Sequence, residues 1–213
     1  AALTFGVVLS GGSIMIMGLA VNWLASFLLA ATIAFYIFIY TVWLKRSTPQ
    51  NIVIGGAAGA LPPVIGWAAI SGSVALDPII LFALIFIWTP PHFWALALYR
   101  SDDYEAAGVP MLPVTHGSQE TRRQILIYSS ILFLVSLLPY LVGMAALTYF
   151  IVAVVMGALF LILAWRVFRL GLVKSCKQLF GFSIVYLFVL FLALLTDKAI
   201  GLPYPLELAK VLY

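Results

Sequence analysis

The sequence predicts an all-α fold, a polytopic membrane bundle of about seven transmembrane helices, from its apolarity, its runs of spanning length and the placement of its basic residues. Of 213 residues, 65% are hydrophobic and 8% are charged, whereas soluble domains carry roughly 25% charged residues. The mean hydropathy is +1.17. A hydrocarbon core about 30 Å thick needs about 20 apolar residues at ~1.5 Å rise, so each long apolar run reads as one crossing.

The spans run from Leu3 to Ala20, Trp23 to Leu44, Ile52 to Ile70, Pro78 to Tyr99, Ile125 to Gly143, Leu147 to Trp165 and Leu179 to Thr196. The uncharged stretch from Ile125 to Trp165 is about twice one span and is divided between Gly143 and Thr148, where small residues permit a tight turn. Residues 1–213 are expected to form a single transmembrane domain. The chain opens without a basic residue until Lys45, which does not fit a signal peptide and reads as a cut edge. Cys176 stands alone, so neither an intrachain disulfide nor a cysteine-based metal site is available.

The net charge of +4 does not point to nucleic acid, because the basic residues lie between spans and form no stripe on a soluble face. Lys45 and Arg46 follow the second span, Arg100, Arg122 and Arg123 bracket the loop after the fourth, and Arg166, Arg169, Lys174 and Lys177 follow the sixth. The alternate connections carry no Lys or Arg, so the basic loops are expected on the cytoplasmic side. The tail from Lys198 to Tyr213 then lies on the opposite side.

Acidic residues are sparse, and Asp102, Asp103 and Glu105 fall together in Arg100-Ser101-Asp102-Asp103-Tyr104-Glu105, at the start of the longest loop. Carboxylates grouped at a membrane mouth with arginines nearby suit a magnesium-complexed phosphate ester, since Mg²⁺ prefers oxygen ligands and bridges one or two carboxylates to substrate phosphates. Arg100, Arg122 and Arg123 would take the remaining phosphate charge. The plainer reading is a solvated loop whose charges only set topology.

In the fourth span, Trp88, His92, Tyr99 and Asp103 share one face if the helix stays regular, and Trp94 lies in the same cytoplasmic half of the span. His92 lies ~12 Å below the loop, where an ionisable side chain needs a bundle interior or a wet cavity. Its alternative role is an interhelical hydrogen bond without chemistry. Pro90 and Pro91 either break the helix or expose backbone to an interior cavity. In the third span, Gly55 and Gly59 have the spacing that lets another helix approach, or that leaves room for a flat ligand. Asn51, Lys45 and Arg46 belong to the same polar layer as the acidic loop, as head-group contacts or as topology anchors.

Three strings carry a family likeness: Asn51 to Trp67 (NIVIGGAAGALPPVIGW), Pro91 to Arg100 (PHFWALALYR) and Asp103 to Val114 (DYEAAGVPMLPV), followed by Thr121-Arg122-Arg123-Gln124. The chain resembles the protohaem IX farnesyltransferase (haem O synthase) branch of the UbiA-type intramembrane prenyltransferases, over essentially its whole length. The resemblance implies a nine-helix bundle of which these would be the last seven helices. The first two helices and a first aspartate-rich loop have no counterpart here, and that loop is expected to supply most Mg²⁺-diphosphate ligands. The second loop also lacks the Asp-x-x-x-Asp of quinone-type relatives, since Ala107 stands four after Asp103.

The activity implied is farnesyl transfer from farnesyl diphosphate to a vinyl group of haem b, giving haem O for haem-copper oxidases. Catalysis would fall to Asp103, Asp102 and Tyr99, and Mg²⁺ to Asp103, Asp102 and Glu105. Substrate binding would fall to Lys45, Arg46, Asn51, Trp88, His92, Trp94, Arg100, Arg122 and Arg123, with His92 meeting haem through its iron or a propionate. The expected setting is the bacterial inner membrane, with the mitochondrial inner membrane as the alternative. Haem A synthase or terminal-oxidase assembly factors are expected partners. Two other readings stand beside this one: a small-molecule transporter with Pro-interrupted helices, and a truncated product without activity.

Overall fold

Seven helices long and apolar enough to cross a membrane account for nearly all of the residues described, which are 1–201 of this computed structural model. They occupy Ala2–Ala20, Trp23–Arg46, Asn51–Ser71, Leu76–Tyr99, Leu112–Leu141, Leu147–Leu170 and Val173–Ile200, so every expected span is present. Only the first stretch of the expected tail, up to Gly201, lies among the described residues. The chain divides into two compact units, the first Ala1–Phe86 and the second beginning at Ile87.

In the first unit, α1 (Ala2–Ala20) is followed after a two-residue turn by α2 (Trp23–Ala34). Asn22 makes that turn: its Oδ1 accepts the Ala25 N–H at 2.9 Å, capping α2, and its Nδ2 donates to the Ala68 carbonyl at 2.8 Å. An N-cap asparagine supplies an acceptor that the first helical amides lack within the helix. Gly18 lies against the Trp23 ring, where a Cβ would come within 2.7 Å of it. Beyond Ala34 the helix widens into π turns (Phe35–Trp43) and then tightens into a 3₁₀ turn (Leu44–Arg46). The third span is two helices, α3 (Asn51–Ala60) and α4 (Pro62–Ser71), divided before the Pro62-Pro63 pair. Of the two glycines expected to serve close packing, Gly55 receives the Tyr40 ring, while a Cβ at Gly59 would meet open space.

Helix α5 (Leu76–Tyr99) runs through Pro90 and Pro91 without ending. The two prolines offer no N–H to the carbonyls four residues before them, which frees acceptors on Phe86 and Ile87. After Tyr99 the chain bends at Arg100 (φ −123°, ψ 20°) into the short helix α6 (Ser101–Ala106).

The second unit continues with α7 (Leu112–Leu141), α8 (Leu147–Leu170) and α9 (Val173–Ile200). The division expected between Gly143 and Thr148 is a turn in which Gly143 takes φ 79°. Two expectations change. Helix α7 begins at Leu112, well before Ile125, and is interrupted at Gly117 (φ 79°, ψ 169°), so Arg122 and Arg123 stand on a helix and do not border an open loop. Helix α9 begins at Val173, so Lys174 and Lys177 are also helical. Hydropathy marks where water is excluded, whereas backbone hydrogen bonding carries a helix on into the polar layer.

Candidate functional site

Lys45 and Arg46 sit exposed in the 3₁₀ turn that ends the second span of the first unit. Asn51, the first residue of α3, is 1% exposed and donates through Nδ2 to the Lys45 carbonyl at 3.2 Å. Its Oδ1 is buried without a hydrogen-bond partner. Asn51 therefore ties the basic turn to α3 and keeps one inward acceptor unused, which is costly unless a ligand or water completes it.

In the second unit, Trp88 and His92 stack with ring centroids 4.2 Å apart, as residues four apart on a helix should. Phe180 of α9 stacks on His92 at 4.6 Å, and Phe93 meets its edge at 5.0 Å. Because two rings cannot occupy one face at these distances, His92 is sandwiched between Trp88 and Phe180. Ser183, one turn beyond Phe180, joins the group twice. Its carbonyl accepts the Trp88 indole N–H at 2.8 Å, and its Oγ lies 2.6 Å from His92 Nδ1. Above Phe180, Tyr99 approaches edge-on at 6.4 Å and carries the Lys177 ammonium 5.6 Å from its ring centre. A cation over an aromatic face is attracted by the ring quadrupole. The result is an apolar aromatic column with a cationic end.

Trp94 does not join this column. It is 1% exposed and meets Tyr128 of α7 edge to face at 5.3 Å, because two residues from His92 the helix presents another side. Asp103 also leaves the expected common face, since the bend at Arg100 places it on α6. Arg100 and Asp103 pair at 2.9 Å, and Asp102 accepts from Ser101 Oγ at 3.2 Å. Glu105 is exposed on the same short helix. Half-buried Tyr104 sits among them, and burial first, then Tyr99 and Asp103, raise its phenol above the ordinary 10.0 while Arg100 opposes the shift.

The two arginines of α7 diverge. Arg122 donates through Nε to the Ser118 carbonyl at 3.2 Å and lies where a Cβ on Gly171 would stand, which suits the glycine and its φ of 61°. Arg123 reaches Glu120 at 3.8 Å and, with His116, Gln119 and Phe168, lines a separate cavity of about 360 Å³. Sequence reasoning missed Lys177, Phe180 and Ser183, which recur every three residues along α9 and so share one side of that helix. That spacing was the available signal.

Residues 1–195 match the UbiA prenyltransferase family. The chain belongs to that family. It is 57% identical over 205 residues to the protoheme IX farnesyltransferase of Parvibaculum lavamentivorans, covering 94% of this chain and 64% of the relative. It is 52% identical over 233 residues to the enzyme of that name from Caulobacter vibrioides, covering 98% and 70%. The chain thus spans about two thirds of the length of these UbiA relatives. Among solved structures, a chain from work on digeranylgeranylglyceryl phosphate synthase in membranes matches with a TM-score of 0.78 at 17% identity, over 92% of this chain and 68% of that one. This likeness carries the fold alone. The UbiA resemblance read from the three strings is borne out, as is the helical membrane bundle.

The acidic helix α6 offers carboxylates but no self-contained cation cage, for among the described residues no three His, Cys, Asp or Glu side chains converge as a metal site. Asp102 and Glu105 are exposed on α6, and Asp103 is engaged by Arg100. A pair of carboxylates completed by substrate phosphates is the arrangement that Mg²⁺ ordinarily takes, and these residues fit it.

Proposed function

We propose that this chain carries the haem-farnesylating chemistry of its relatives: transfer of a farnesyl group from farnesyl diphosphate to a vinyl group of haem b, with addition of water, to give haem O. The observation that carries the reading beyond family membership is the column of Trp88, His92 and Phe180, ending in Tyr99 and Lys177. Flat aromatic walls suit a porphyrin and a polyisoprenoid, and a charged rim suits a diphosphate.

In the reaction the C–O bond to the diphosphate breaks, and the leaving group takes the electron pair. The vinyl π pair then bonds to the allylic carbon. Water captures the cation left beside the porphyrin and loses a proton, giving a hydroxyethylfarnesyl group. The basic residues Arg100 and Lys177 hold the diphosphate and stabilise its growing charge. Tyr99 and Trp88 present π faces to the allylic cation. The apolar column excludes water until the carbon–carbon bond has formed. Asp102 and Glu105, with Asp103 beside them, would hold Mg²⁺, which would supply positive charge against the diphosphate. His92 contacts haem, and Asn51 offers its unused carbonyl oxygen to the polar layer.

The multi-pass protein belongs in this reading to the bacterial inner membrane, with its basic connections on the cytoplasmic side. Family membership supports an enzyme over a transporter. The test is to incubate membranes with haem b, labelled farnesyl diphosphate and Mg²⁺. Both this chain and a chimera that adds to it the part of a relative's sequence that it does not cover are assayed. Labelled haem O from either supports the reading, and no product from a chimera that is folded and inserted overturns it.

A further inference from the structure

Ser183 has one hydroxyl proton and two close neighbours able to accept it. Its Oγ donates to the Phe180 carbonyl at 2.6 Å, the back-bond common for serine inside a helix, and lies 2.6 Å from His92 Nδ1. The residue is 0% exposed, so no solvent can arbitrate between them. If Nδ1 carried no proton, both neighbours would compete for one hydrogen and two lone pairs would face each other across a short buried contact. If Nδ1 carries the proton, it donates to Oγ, Oγ donates to Phe180, and every group is satisfied.

We propose that Ser183 fixes His92 as the Nδ1–H tautomer, leaving the Nε2 lone pair to ligate the iron of a metalloporphyrin. The proposal rests on the haem reading above and decides a point that reading leaves open. Trp88 and Phe180 cover the two ring faces and Ser183 takes Nδ1, so Nε2 is the remaining polar atom of the ring. A propionate would need an N–H at that atom, and a lone pair refuses it. Iron accepts the pair, and a hydrogen bond from the opposite ring nitrogen fixes ring orientation and strengthens the imidazole as a donor. Ser183 is thus a positioning residue that acts through His92, and the Trp88 indole bonded to the Ser183 carbonyl locks the ring's near wall in place.

The chain has two histidines, so ¹⁵N-histidine labelling of the intact chain in micelles, with His116→Gln for assignment, reads the tautomer directly. The expected result is a protonated Nδ1 and a bare Nε2 at His92. Ser183→Ala should mix the tautomers, and Ser183→Thr, which keeps the hydroxyl, should restore the single form. An Nε2–H tautomer in the parent chain overturns the proposal.

Iron protoporphyrin and metal-free protoporphyrin are then titrated in parallel. Ser183→Ala should weaken the iron porphyrin by roughly tenfold and leave the metal-free ring unchanged. His92→Ala should abolish the histidine–iron stretching band. Equal weakening of both porphyrins would mean that Ser183 only supports packing, and an unaltered iron band in His92→Ala would remove His92 as the ligand. In either case the haem reading survives. If the parent chain and the full-length chimera both bind neither porphyrin, the haem reading and the ligand assignment fall together.

Discussion

Asp197, near the end of α9, accepts the backbone N–H of Ala146 through Oδ2 at 2.8 Å, and the same oxygen takes the Tyr149 N–H at 3.2 Å. These amides open α8 and have no acceptor within their own helix. A carboxylate 1% exposed thus caps one membrane helix from another, where the positive end of the helix dipole favours it. Asp197→Ala should lower stability by about 1–3 kcal/mol, the loss of a cap together with stranded buried amides. Asp197→Asn retains an acceptor and should cost less. Reversible unfolding in mixed micelles measures both, and an alanine variant as stable as the parent chain would contradict the assignment.

Close approach of α7 and α8 depends on Gly157, which is buried with the Phe133 ring against it. A Cβ there would fall 2.3 Å from Phe133 Cδ2. Gly157→Ala should therefore destabilise by about 1–3 kcal/mol through overpacking. Phe133→Leu makes room, so the double variant should recover part of the loss. Purely additive losses in a double-mutant cycle would mean that the two residues do not share this space.

The spans were legible because one physical length, that of a hydrocarbon core, sets them all, and the turn near Gly143 was legible because a charge-free run twice that length must fold back. The early starts of α7 at Leu112 and α9 at Val173 were not, since polar residues in a helical backbone look like loop to a hydropathy reading. The same distinction separates the site residues. The Trp88–His92 stack follows from a spacing of four along one helix. Ser183 reaches His92 across 91 positions, and a small hydroxyl in an apolar helix gives no local sign of its partner. Asp103 was misplaced because the shared face assumed a regular helix, and α5 ends at Tyr99.

Alkaline pH should loosen the acidic helix. Burial, Tyr99 and Asp103 hold the Tyr104 phenol above its usual 10.0, with Arg100 opposing. An acid whose folded pKa is raised resists ionisation in the folded state, so stability is unaffected below the unfolded value and falls as pH rises through and beyond 10.0. Absorbance titration should show one late-ionising tyrosine that Tyr104→Phe removes. Proteolysis between Ser101 and Gly108 should increase above that pH in the parent chain and not in the variant. Equal cleavage of both would show that Tyr104 is not the group responsible.

The Arg100–Asp103 pair separates function from stability. Its side chains are 60% and 67% exposed, and an ion pair in that setting contributes about 0–1 kcal/mol. Arg100→Ala and Asp103→Asn should therefore leave unfolding nearly unchanged. Under the proposed chemistry, Arg100→Ala should lower farnesyl transfer by the chimera roughly 10²-fold, as expected when one fixed positive charge at the leaving group is removed, and Asp103→Asn should lower it by weakening the carboxylate group that would hold Mg²⁺. The exchange of both residues, Arg100→Asp with Asp103→Arg, decides what the pair is for. It keeps an ion pair between the bend and α6 but reverses the charge at each position, so turnover should stay low while stability stays high. Recovery of turnover by the exchanged pair would mean that its role is only to hold the turn.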